Sequence, residues 1–192
     1  VALRDVREQL FGAAERILLR DGPNALTSRA VTAEAGCAKG VLHRHFTDFD
    51  AFLAELVQDR TVRIRMQADT LHGEAGTGTV AGNLTAALTE VFTSVAVAIV
   101  SLVIFRDELR QRLRRTHPTG IPLMREAAEM IGDYLRRERD LGRIAAGADI
   151  DTLAPTLIGA AHMSFADRTA PPGSEEVRKI VTTVLAGVLP DR

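Results

Sequence analysis

Residues 27 to 46 read TSRAVTAEAGCAKGVLHRHF. Thr27 can cap a short helix over about 28 to 35, because its hydroxyl accepts a free N–H of the first turn. Gly36 is the natural terminator, since a left-handed conformation is open to glycine. A second short helix follows over about 38 to 45. Val31 and Ala35 share one face of the first helix, and Leu42 and Phe46 share one face of the second. Two short helices around a glycine turn make a helix-turn-helix candidate. Lys39, Val41, His43, Arg44 and His45 are left facing outwards. A cation, a small apolar group and imidazoles suit phosphate oxygens, thymine methyls and base edges. The same pattern also describes two ordinary helices with a solvated basic face.

Upstream, Val6, Leu10, Ala13, Ala14, Ile17 and Leu18 recur at helical spacing. They predict an amphipathic helix from about 3 to 21, ended by Gly22-Pro23. Downstream, Thr47 and Asp50 have capping-box spacing and open a long helix carrying Phe52, Leu53, Leu56 and Val57. Gly73 to Gly82 is glycine-rich and reads as a linker and domain hinge. An apolar helix follows over about 80 to 105, then a charged helical stretch from Arg106 to Arg115. His117-Pro118-Thr119-Gly120 breaks it. Helices are expected over about 121 to 140, from Asp151 or Thr152 to near Arg168, and after Pro171-Pro172-Gly173. Ser174, Glu175 and Glu176 open the last of these. No strand alternation and no repeat is present. The chain therefore reads as all-α, with about nine helices in all. A three-helix unit with the helix-turn-helix candidate over 1–50 would precede a larger helical domain over 51–192.

With 192 residues, 46% of them hydrophobic, the chain can bury a sizeable core. The formal net charge is only -1, so any surface for nucleic acid must be local. Cys37 is the single cysteine, which excludes an intramolecular disulfide and suits a reducing cytoplasm. It is either a small apolar filler or a thiol whose oxidation would disturb the turn. The chain opens on charged residues and not on an apolar signal core. Val91 to Phe105 falls short of the roughly 20 apolar residues of a membrane span and reads as a buried helix. Gly76-Thr77-Gly78 mimics a dinucleotide fingerprint but lacks the preceding strand. His43 and His45 lie on different helix faces, and no Cys/His cluster or nucleophile elbow exists. No metal, cofactor or catalytic activity is expected.

Residues from about 10 to 57 resemble the N-terminal domain of the TetR family of repressors. The likeness is carried by Leu10, Phe11, Ala13 and Ala14, the Gly22 turn and Thr27. Ala35-Gly36, Lys39-Gly40 followed by Leu42, and the pair His45-Phe46 complete it. The resemblance implies that Thr27 contacts phosphate and that Lys39, Val41, His43 and His45 lie at the groove. Gly40 would permit close backbone approach, and Ala38 and Arg44 complete the DNA-facing set. Three residues depart from the family pattern. Ala38 stands where Ser is frequent, His43 where Tyr is usual, and Phe49 where Lys is common.

The resemblance further implies a homodimer, built from helices over about 152 to 167 and 175 to 188. Gly159, Ala160 and Ala161 would let helices approach closely, across a dimer or within one monomer. Recognition helices about 34 Å apart would read a pseudo-palindromic double-stranded operator. An apolar cavity would take a small hydrophobic or aromatic effector, with Phe92, Val95, Ile99, Phe105, Met130, Tyr134 and His162 as candidate contacts. His162 equally suits a hydrogen-bonded core or interface histidine. The implied function is a cytoplasmic, ligand-responsive repressor with no membrane association. Two other classes stay open: a helical small-molecule carrier or enzyme using the C-terminal cavity, and a protein-interaction module without specific DNA binding.

Overall fold

The computed structural model describes residues 3–93, 96–116, 120–166 and 171–189. Among these there are ten α-helices and no strand. They are α1 (Leu3–Asp21), α2 (Ser28–Glu34), α3 (Val41–His45), α4 (Phe49–Gly73) and α5 (Val80–Thr93). There follow α6 (Ala96–Phe105), α7 (Asp107–Leu113), α8 (Met124–Asp140), α9 (Ile150–Ala166) and α10 (Ser174–Val184). A single 3-10 turn, Pro23–Ala25, lies between α1 and α2. The helix expected over 80 to 105 is two, α5 and α6, which accounts for the tenth. Residues 94–95 between them, the expected breaker His117-Pro118-Thr119 and the expected helix end near Arg168 lie outside the described residues. No single described helix is long and apolar enough to cross a membrane.

The chain forms two compact units. One is Val1–Arg60 with Ala98–Pro122; the other is Thr61–Val97 with Leu123–Arg192. In the first unit, α1 packs on α2, and α2 on α3. Its centre is apolar: Leu10, Ile17, Leu26, Val31, Leu42, Phe52 and Leu56 are fully buried. In the second unit, α5 packs against α8, α9 and α10, and α9 packs against α8 and α10. Leu84 and Leu88 of α5 are fully buried in this unit, as are Ile131, Leu135, Leu157, Ala161 and Val181. Burial of these stripes, rather than intrinsic propensity, stabilises helices of this length.

Two local expectations change. The cap of α4 is Asp48, not Thr47: Asp48 Oδ1 accepts the Ala51 N–H at 2.6 Å, and its carbonyl accepts the Phe52 N–H at 3.2 Å. The helix therefore starts one residue later than a Thr47 cap would set, and Thr47 is left exposed. The glycine-rich stretch is a bolted corner inside the second unit, not a hinge between domains. Gly76 and Gly78 have φ of 82° and 52°, conformations that glycine adopts without strain. The Gly76 N–H donates to the fully buried carboxylate of Glu138 at 3.3 Å. Arg143 donates to the Thr77 and Gly78 carbonyls, at 3.3 and 2.7 Å. Asn83 donates to the Tyr134 hydroxyl at 3.0 Å. Burial, with the Glu138 carboxylate beside it, pushes the Tyr134 phenol well above its ordinary pKa. Glycine here supplies a tight turn, and the acid that satisfies it comes from 62 residues away.

Thr27 caps α2 as expected, in extended geometry, with Oγ1 accepting the Ala30 N–H at 3.1 Å. Thr27→Ala is expected to cost about 1 kcal/mol, a fall in Tm of about 2–4 °C at this chain length. Thr27→Ser keeps the hydroxyl and should stay near the parent in a circular-dichroism melt. Equal melts for all three proteins would mean that the cap does not form in solution.

Candidate nucleic-acid interface

The outward face of α2 and α3 depends on what their inner faces bury. Val31 and Ala35 of the α2 segment and Leu42 and Phe46 at α3 are all buried, as their spacing requires. The turn between the helices is fixed by backbone bonds. The Cys37 N–H donates to the Thr32 carbonyl at 2.9 Å, and the Val41 N–H to the Ala38 carbonyl at 2.9 Å. Gly36 takes φ 65°, the left-handed region that ends α2. α1 braces both ends of this segment. Gln9 donates to the Ala35 carbonyl at 2.8 Å, and Arg7 to the His45 carbonyl at 3.4 Å. The Arg7 guanidinium lies 4.5 Å from the centre of the Phe46 ring and pairs with Glu55. Arg16 and Arg20 pair with Glu34 at 2.8 and 3.1 Å and lower its pKa.

All eight DNA-facing candidates lie on this one segment. Thr27, Ala38, Lys39, Gly40, His43 and Arg44 are exposed, while Val41 and His45 are half-buried. The regular helix is shorter than expected, starting at Val41 with Gly40 as its cap residue and no side-chain cap bond. Lys39 and Gly40 therefore sit in the turn that leads into α3. His43, Arg44 and His45 occupy the last turn of α3, where the helix dipole favours positive charge. Arg29 was missed from the sequence. It is exposed on α2 two residues after the cap, with no acidic partner among the described residues. Its position beside Thr27 on the first turn was the available signal.

Phe49, which departs from the family pattern, has a structural role. Its ring stacks on Phe52 at 5.6 Å and lies 5.5 Å from the Arg106 guanidinium. Beside it, two ion pairs join the start of α4 to α7 and the residue before it. Arg106 Nη2 lies 3.0 Å from Asp50 Oδ1, and Arg112 Nη2 lies 2.7 Å from Asp48 Oδ2. The Ala51 N–H and the Arg112 guanidinium hold the Asp48 carboxyl below its usual pKa. Partly exposed pairs of this kind add little stability. They do tie α7 to α4, the helix that follows α3.

Six of the seven effector candidates lie among the described residues, two in the first unit and four in the second. Ile99 and Phe105 belong to the first unit; Phe92, Met130, Tyr134 and His162 belong to the second. Val95 lies outside the described residues. Phe105, expected to face an apolar interior, is 81% exposed. α6 ends at it, and the chain turns at Arg106 into α7. Phe92 gathers His162 and Phe165, with ring centroids at 6.0 and 5.7 Å. The first unit carries a cleft of about 490 Å3, bordered by Val103, Ile104, Arg110, Leu113, Arg114, Gly120, Ile121 and Pro122. None of the described candidates borders it.

His162 has a testable consequence. Its Nδ1 is buried without a hydrogen-bond partner, and burial lowers its pKa. The folded chain thus disfavours the imidazolium, whereas the unfolded chain accepts a proton near pH 6.5. Stability from this group is fully present above about pH 6.5 and is lost as pH falls below that. Tm should decline between pH 7 and 5, and His162→Gln should flatten that decline. Parallel curves for parent and variant would count against a neutral buried imidazole.

Residues 10–56 match the family model of bacterial regulatory proteins of the tetR family. No curated protein matches the chain's sequence. Among solved structures, the fold is similar to a TetR-family transcriptional regulator from Agrobacterium tumefaciens, at TM-score 0.74 and 13% identity over 97% of this chain and 99% of that one. It is also similar to Bacillus subtilis FadR in complex with stearoyl-CoA, at TM-score 0.68 and 15% identity over 94% and 98%. A third is SmeT, the repressor of a Stenotrophomonas maltophilia multidrug efflux pump, at 0.66 and 20% identity over 96% and 91%.

Proposed function

We propose that this chain, which carries the N-terminal domain and the fold of the TetR-type regulators, is a ligand-responsive transcription repressor. It binds a pseudo-palindromic operator as a homodimer in the cytoplasm and is released by a small hydrophobic or aromatic effector. DNA binding is assigned to residues 1–50, and sensing and dimerisation to 51–192. One observation carries the reading. Within the family-matched segment, Arg29, Lys39, His43 and Arg44 are all exposed, while Val31, Ala35, Leu42 and Phe46 of the same helix-turn-helix are buried. Phosphate and base edges need such donors on a rigid mount.

A single helix-turn-helix reads too few base pairs for a unique site, so two copies on a two-fold axis are needed. α9 supports the dimer. Thr152, Thr156 and Met163 are exposed along one side of it, with Gly159 and Ala160 half-buried between them. Small residues there allow close helix approach, and Met163, 66% exposed, supplies an apolar contact. The repressor and effector parts are supported by SmeT, a repressor, and by FadR, which holds stearoyl-CoA. The deciding experiment is selection of bound fragments from a random duplex pool at fixed salt, with the dimer mass measured in parallel. Enrichment of a pseudo-palindrome is expected. Failure to enrich any sequence, with a folded dimer, would leave a helical ligand-binding or protein-interaction protein.

A further inference from the structure

The geometry points to the cleft of the first unit as the effector site, and to an amphipathic monoanion as its occupant. Five of its bordering residues are apolar: Val103, Ile104, Leu113, Ile121 and Pro122. Its volume, about 490 Å3, lies within the range of small-molecule sites. The charged residues on its described border, Arg110 and Arg114, are both positive. Arg110 is already engaged, donating to the Ile104 carbonyl at 2.6 Å and pairing with Asp107. That leaves it as a fixed wall joining the end of α6 to α7. Arg114 has no acidic partner among the described residues. A guanidinium on the border of an apolar cleft, with no acidic partner among the described residues, suits a planar anionic head, carboxylate or sulfonate, on an apolar body.

The same short helix reaches the DNA-binding segment. Arg110, Leu113 and Arg114 border the cleft, while Arg106 and Arg112 hold Asp50 and Asp48 at the start of α4. A second, shallower cleft of about 230 Å3 lies along Ala51, Ala54 and Gln58 of α4 and Arg112 and Leu113 of α7. α7 meets α4 beside this cleft through the two ion pairs. A ligand that favours one position of α7 biases both ion pairs, and with them the mount of α3. This regulation rests on the repressor reading; occupancy of the cleft does not.

The test titrates the full chain with 1-anilinonaphthalene-8-sulfonate, which carries one sulfonate on an apolar body, and follows its fluorescence. Decanoate and decan-1-ol are the competitors. Saturable binding, displaced by decanoate and not by equal decan-1-ol, is expected. Arg114→Gln should weaken both anions about tenfold or more. Arg115→Gln, one residue on, borders the second cleft and not the first, and should leave them unchanged. Equal displacement by the alcohol, or equal affinities in the two arginine variants, would overturn the site. On the selected duplex, decanoate should lower the affinity of the parent and do so less for Arg112→Gln. An additive response would overturn the coupling. If no duplex is bound at all, the repressor reading fails, and the fluorescence titration still decides the site.

Discussion

Phe52→Ala is expected to destabilise the chain by about 3–5 kcal/mol, the largest single loss anticipated. Phe52 is fully buried. Its ring centroid lies 5.5 Å from Phe11, 5.1 Å from Phe46 and 5.6 Å from Phe49. Phe11 comes from α1, Phe46 closes α3, and Phe49 and Phe52 come from α4. Four of the seven phenylalanines thus meet in one cluster, so it is the joint between all three elements. A domain margin is about 5–15 kcal/mol, and this truncation removes a large part of it. Urea denaturation followed by helix signal should show the loss, together with loss of duplex binding at elevated temperature. Phe52→Leu, closer in volume, should cost less than about 1.5 kcal/mol. If Phe52→Ala lost under 1 kcal/mol, the cluster would not be what orients α3.

The parts legible in the sequence are those decided within one helical turn or by one face. α1 could be read from its apolar spacing, α2 from the Thr27 cap and Gly36, and α10 from Pro172-Gly173 with the acids after it. The buried set Val31, Ala35, Leu42 and Phe46 follows from period alone. Where two caps compete at adjacent residues, as Thr47 and Asp48 do, local rules do not choose; packing of Phe49 on Phe52 and the Arg112 pair do. The apolar run of 80 to 105 gives no marker for its interruption, because it has no proline and Gly82 is its one glycine. The glycine corner looked free because its anchors, Glu138 and Arg143, come from far along the chain. The clamp of Arg112 on Asp48 spans 64 residues, and nothing in either neighbourhood announces it. Helix faces alone do not reveal that Phe105 is exposed, because the chain turns into α7 one residue later.

Lys39→Ala with His43→Ala is expected to abolish operator selection while leaving the melt unchanged. Both side chains are exposed, and neither touches the core under α3. Surface changes of this kind stay within about 0.5 kcal/mol of the parent stability. Against DNA, a good base-edge contact is worth about 1–3 kcal/mol, and a dimer loses each contact twice. The combined loss on the selected duplex should therefore exceed about a hundredfold. The dependence on salt separates the roles of the two residues. If Lys39 neutralises a phosphate, its single variant should reduce the salt slope by about one per site and weaken all duplexes alike. If His43 reads a base edge, its variant should keep the slope and lose discrimination at one position of each half-site. Arg29→Ala should resemble the first pattern, because α2 lies where helix-turn-helix proteins cross the backbone. Full affinity in the double variant would place the DNA contacts elsewhere and detach this exposed face from the regulator reading.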